Sequence, residues 1–168
     1  AVESAAENLA DGLVAPLLAF ALLAPASLAL AAGGAAWVKA VNTLDSMLGY
    51  ADKPVGWAPA RLDDAVMWLP ARLAAGLLAL AAFDRRVPTR AGAWAGAPPS
   101  PNSGWPMGAL AAALDCRLEK PGVYALNPDA DLPAGATARR GIRVVRRAGA
   151  LAWVGAALLA AAGVVAWS

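Results

Sequence analysis

The chain has 168 residues, of which 60% are hydrophobic and 15% charged, and its mean hydropathy is +0.53; soluble domains carry roughly 25% charged residues, so this composition excludes an ordinary soluble protein and defines an integral membrane protein. A net charge of +2 is too small to argue for nucleic acid as a partner. With no histidine and Cys116 as the single cysteine, the chain excludes an internal disulfide, a zinc finger, a haem-type axial ligand and any His-based relay, leaving carboxylates, Lys, Tyr and Arg for acid, base or metal chemistry.

The chain begins on Ala1 without the basic, apolar and cleavage regions of a secretory signal, and is expected to be part of a longer protein. In AVESAAENLADG, Glu3, Glu7 and Asp11 are four residues apart and form one acidic stripe on a helix. That stripe runs into the apolar stretch Leu13 to Ala32, long enough for a span of about 20 residues, which Pro16 and Pro25 should kink or break. Gly33 and Gly34 should punctuate, and Ala35 to Tyr50 is predicted as an amphipathic helix with Asn42 and Asp45 on one side, ending near Asp52 to Pro54. The turn-like RLDD follows, and Asp64 to Phe83 is a second apolar segment with Pro70 and Arg72 inside it. Ala148 to Trp167 is a third, with Trp153 and Trp167 placed as interfacial anchors. Residues 91–147 are expected to be an extramembrane loop with one short helix from Pro106 to Cys116. Arginines 85, 86 and 90 before this loop, and 139, 140, 143, 146 and 147 at its end, put it in the cytoplasm. The predicted fold is all-α: a single polytopic membrane domain over 1–168, with about three strong transmembrane helices, additional amphipathic or re-entrant helices and one long cytoplasmic loop. On this topology a crossing Asp64–Phe83 would put RLDD outside, away from the loop. Either that segment dips without crossing or the polar clusters do not share one site.

Each polar cluster has two readings. Glu3, Glu7 and Asp11 complement a helix N-terminus while solvated, or build a site with Asn8. Asn42, Asp45 and Ser46 present three oxygens to an ion or sugar, or form a polar face packed on a loop. Arg61 and Asp64 can simply pair at i, i+3. Arg72 lies inside an apolar segment and either faces an aqueous cavity, there to bind a phosphate with an acid from another helix to balance it, or snorkels. In APPSPNSGWPM the prolines stiffen a frame from which Ser100, Asn102 and Ser103 offer hydrogen bonds, or the segment is a rigid connector; it lacks the spacing of a Walker-type phosphate loop. In the turn EKPG, Lys120 could hold a phosphate, and a simple capped turn is equally consistent.

AVESAAENLADG, VNTLDSMLGY, GWAPARLDD, the PARL after it, APPSPNSGWPM and RLEKPGVY, in this order, resemble the C-terminal half of the CobD/CbiB family of cobalamin biosynthesis. The resemblance implies a multi-pass protein of the bacterial inner membrane, an adenosylcobinamide-phosphate synthase. Such an enzyme joins adenosylcobyric acid to aminopropanol phosphate or threonine phosphate through an ATP-dependent amide bond. It also implies the N-terminal half of the same protein as a partner, carrying the family's histidine-bearing motif, and other membrane enzymes of late cobalamin assembly. Amide formation from a free carboxylate needs activation, for which a divalent cation and phosphate-holding cations are expected, and oxygen ligands suit Mg2+. For that chemistry Glu3, Glu7, Asp45 and Asp64 are the expected catalytic groups, and Glu7, Asp45, Asp63 and Asp64 the metal candidates. Asn8, Asn42, Arg61, Arg72, Ser100, Asn102 and Lys120 are expected to bind ATP and the phosphorylated amine. Rival readings are a transporter, which would also bury Arg72 and acidic groups, and a non-catalytic membrane sensor on the same scaffold.

Overall fold

A computed structural model describes residues 2–49 and 54–167. Helix α1, Val2–Leu23, carries a wide π-type turn over Ala10–Val14, where the Ala15 amide bonds to the carbonyl of Ala10. Pro16 follows directly; it has no N–H, and its ring crowds the carbonyl one turn back, which the widened turn relieves. The expected span Leu13–Ala32 is therefore not one helix. Pro25 sits in a turn, Ser27 caps the next helix by accepting from the Ala29 amide at 3.2 Å, and α2 runs over Leu28–Leu48, back along α1. Gly33 and Gly34 do not end a helix; they lie inside α2. A side chain at Gly34 would meet the end of the Leu23 side chain, so this glycine lies where α2 packs on α1. The helix expected over Ala35–Tyr50 thus begins earlier, at Leu28, and stops at Leu48, where Gly49 caps it by donating to the Asp45 carbonyl; residues 50–53 lie outside the described residues.

RLDD is helical rather than a turn: α3, Pro54–Val66, contains it, and α4, Trp68–Ala82, follows after a 47° bend at Met67. Pro70 cannot donate to the Val66 carbonyl, which explains the break and its position in the first turn of α4. By length and composition, α1 and the last helix are long and apolar enough to cross a membrane, and the bent pair α3–α4 makes a third if it counts as one broken span.

The segment 91–147 is more ordered than a loop. Helix α5, Val87–Trp94, packs on α6, Gly104–Leu114, in which every residue except Trp105 is buried. This inner helix, expected two residues further on, is central to the core, where Met107 and Leu110 lie with Leu78, Val87 and Leu126. A left-handed Asp115 (φ 50°) ends it, and Arg90 donates to Ala112 O at 3.2 Å and to Asp115 at 2.7 Å, closing the helix end. An antiparallel hairpin follows, β1 Leu118–Lys120 and β2 Tyr124–Leu126, and then α7, Gly135–Trp167, so the arginines 139–147 are on a helix continuous with the last apolar segment. Trp153 is exposed on α7, consistent with an outward-facing anchor; the Trp167 side chain lies outside the described residues.

Gly104 fastens the PPSPN segment to this core. A Cβ there would collide with the backbone carbonyl of Ala95, and backbone cannot swing aside as a side chain can. Gly104→Ala is expected to destabilise the protein by roughly 2–4 kcal/mol despite alanine's better helix propensity, a loss readable as a lowered denaturation midpoint in detergent.

Candidate functional site

Three stretches far apart in the chain meet at one hollow. Glu7 and Asp11 come from α1, Asp63 with Met67 and Ala71 from the α3–α4 bend, and Ser100, Asn102 and Ser103 from the segment before α6. Its volume is about 30 Å3, room for an ion or a water and not for a nucleotide. Any larger molecule must therefore lie at its mouth.

Asp11 lies beside Glu7 on α1 at the π-type turn, and α2 reaches the acids through Asn42. Buried Asn42 donates to Asp63 at 3.5 Å, with Asp11 also in its reach, and accepts from Lys39 Nζ at 3.2 Å. Lys39 thus touches the acidic group through an amide rather than by a direct ion pair, leaving Glu7, Asp11 and Asp63 short of positive charge. Carboxylates crowded in this way favour a bound cation or a proton. Asn102, 4% exposed, ties the pieces together: its amide donates to the Asp64 carbonyl at 2.8 Å, its oxygen accepts from Arg72 at 3.3 Å, and its backbone amide bonds to Ser100 Oγ at 3.2 Å. Arg72 also donates to Trp68 O at 2.7 Å and lies 4.3 Å and 5.0 Å from the ring centroids of Trp68 and Trp105. The expected acidic partner for Arg72 is replaced by an amide and two indoles, so its guanidinium is oriented without being neutralised.

The remaining candidates stand further out. Asp45 is half-buried, and burial together with the neighbouring Asp64 charge holds its carboxyl above the usual carboxylate range. Arg61 pairs with Asp64 at 3.4 Å, the local i, i+3 arrangement, with Arg61 largely exposed. Asn8 bonds to Ser4 O at 2.8 Å within its own helix, and Ser46 to Asn42 O at 2.8 Å. Glu3 accepts from Tyr124 OH at 3.3 Å. Burial first and then the charges of Glu3 and Glu7 push the Tyr124 phenol up to about 12, so it stays a donor at neutral pH. Lys120 is exposed on the hairpin, within electrostatic reach of Glu7. Burial also raises the Cys116 thiol, which suits a packing role.

Among the described residues no group of three acidic or thiol side chains is arranged to hold a metal by itself. Magnesium asks for less, one or two carboxylates completed by phosphate and water, and Glu7 and Asp63 on one hollow fit that requirement. Asp11 and Ser103, named with the acidic stripe and the PPSPN frame, line the hollow, and Lys39, which the motifs did not single out, reaches the group through Asn42. The spacing is visible for Asp11, one turn after Glu7, for Lys39, three residues before Asn42, and for Trp68, one turn before Arg72; Trp105, the other face of the stack on Arg72, is sequence-distant and has no such signal.

The structure therefore defines a largely helical membrane protein with a polar site formed where helices bend and break. Residues 1–152 match the family described as CobD/Cbib protein, and the chain belongs to this family. It is 40% identical over 163 residues to "Probable cobalamin biosynthesis protein CobD" of Methanothrix thermoacetophila, covering 94% of this chain and 51% of that protein. It is 41% identical over 165 residues to "Cobalamin biosynthesis protein CobD" of Rhodobacter capsulatus, covering 88% and 49%. The chain thus spans about half the length of these relatives. No solved structure matches it significantly.

Proposed function

We propose that the full-length protein acts in cobalamin biosynthesis as an ATP-dependent amide ligase, joining adenosylcobyric acid to aminopropanol phosphate or threonine phosphate. In this reaction the corrinoid carboxylate attacks the γ-phosphorus of ATP and ADP leaves. The amine nitrogen then attacks the acyl carbon, loses a proton, and phosphate departs. The observation that carries the reading is the meeting of Glu7, Asp11 and Asp63 with Ser100 and Asn102 in one hollow beside Arg72.

Magnesium, when bound, would neutralise nucleotide phosphate charge, and Glu7 and Asp63 are the residues that would hold it. Asp11, which lines the same hollow, is the carboxylate left to take the amine's proton once Glu7 and Asp63 hold the cation. Ser100 and Ser103 offer hydroxyls to phosphate oxygens, and Arg72, oriented by Trp68 and Trp105, offers its free edge to the phosphate of the amine substrate. Asn102 positions Arg72 against the α3–α4 bend. The 30 Å3 hollow is far too small for the corrinoid, so its periphery would be recognised at the membrane surface, with the rest of the protein completing the groove.

The test is direct. Full-length protein in lipid, given ATP, magnesium and both substrates, should yield adenosylcobinamide phosphate with one ADP per product. Ligand binding without product would favour the sensor reading, and substrate flux into liposomes without ATP use would favour a transporter.

A further inference from the structure

On the opposite side of α4 from the acidic hollow lies a much larger feature, an apolar groove of about 1150 Å3 between α4 and α7. That exceeds the roughly 300–1,000 Å3 of ordinary small-ligand sites. Its walls are Leu77 and Leu80 of α4 and Leu151 and Val154 of α7, and at one end Arg85 and Arg147 stand at the mouth. Arg147 also borders a second hollow of about 290 Å3 with Arg143 and Arg146. Among the described residues none of these four arginines forms an ion pair with a carboxylate. Asp84 lies at the same mouth, but its carboxylate accepts from the Arg86 backbone amide at 2.8 Å, held to the turn that ends α4. At the far end stands Arg72, held against Asn102, Trp68 and Trp105 and assigned above to the phosphorylated amine.

We propose that this groove is a binding site for one anionic phospholipid, its acyl chains between α4 and α7 and its phosphate on Arg85 and Arg147. Two observations select this occupant. The walls are apolar along their length, and at one mouth Arg85 and Arg147, with Arg143 and Arg146 beside them, outnumber the single carboxylate Asp84, so the surplus of positive charge lies there, while at the other end Arg72 is held against Asn102 and two indoles. Both walls also belong to helices long and apolar enough to count as membrane spans, α4 with its bent partner, so a lipid can enter sideways from the bilayer. Basic pockets between membrane helices recognise lipid phosphate in this manner.

The test is lipid retention by the full-length protein, read by native mass spectrometry after detergent exchange, with equimolar phosphatidylglycerol and phosphatidylcholine offered. Phosphatidylglycerol should be retained about tenfold better, one bound lipid per chain, and soluble glycerol phosphate should not displace it. Arg85→Gln with Arg147→Gln should abolish the preference. Gly76 lines the groove and a side chain there meets no atom within 4 Å, so Gly76→Leu fills the space without strain and should cut retention of both lipids with every arginine in place. Preference surviving the double Gln variant, retention surviving Gly76→Leu, or displacement by glycerol phosphate would each overturn the proposal. So would a Gly76→Leu variant that changes oligomeric state while its lipid content stays constant, or a full-length protein that retains no lipid.

Discussion

Asp63→Asn in the full-length protein is expected to lower ATP-dependent amide formation by about 100-fold or more while the helices remain folded, the scale on which loss of one preorganised charged group is felt. Asp63 is 8% exposed and shares its hollow with two further carboxylates. Asn keeps the shape and an oxygen to accept from Asn42, so packing survives and the repulsion among the acids falls. The denaturation midpoint should hold or rise as activity disappears, the opposite correlation from a variant that merely unfolds. Asp45→Asn is the control in the same cluster: half-buried and outside the hollow, it should cost less than about tenfold. The measurement is product formed per minute beside circular dichroism of each variant. Near-normal turnover with Asn at position 63 would reduce the acidic hollow to a structural feature.

What the sequence made visible depended on the range of the interaction. Periodicity and length marked the apolar segments, and the i, i+4 spacing of Glu3, Glu7 and Asp11 marked the acidic face of α1, because both are local properties of a helix. The boundaries failed where proline and glycine have two outcomes. Pro25 ended a helix, Pro16 was absorbed by a wide turn, and Gly34 lies inside α2 instead of ending a helix. The topological difficulty over RLDD eases once α3 and α4 are separate: the 47° bend at Met67 brings Asp63 to the hollow that Asn102 lines from beyond α5. Burial of α6 was not legible either, since a helix of alanines, leucines and glycines surrounded by prolines looks the same in a loop as in a core. Nor could spacing have revealed that Arg72 is held by Trp105, thirty-three positions later.

That hold makes Arg72 the second position where substitution should have a large effect. Arg72→Lys is expected to raise KM for the phosphorylated amine about tenfold or more with kcat less affected, because an ammonium keeps the charge but cannot lie flat against two indoles while bonding Asn102 and Trp68. Arg72→Ala should show the same KM defect more strongly. It should also lower stability by roughly 1–2 kcal/mol, since Asn102, almost wholly buried, loses a donor to its side-chain oxygen. Asn102→Asp separates the two contributions: the new carboxylate can still accept from Arg72 and would neutralise it, while the donor to the Asp64 carbonyl is lost. If Arg72 works by presenting free positive charge, Asn102→Asp should raise KM as Arg72→Lys does. If Arg72 is only a packing element, Arg72→Lys and Asn102→Asp should leave KM for the amine unchanged and alter the denaturation midpoint alone. Steady-state kinetics with the amine as the varied substrate, beside denaturation of the same preparations, distinguishes a phosphate-holding arginine from one that keeps α4 against the segment before α6.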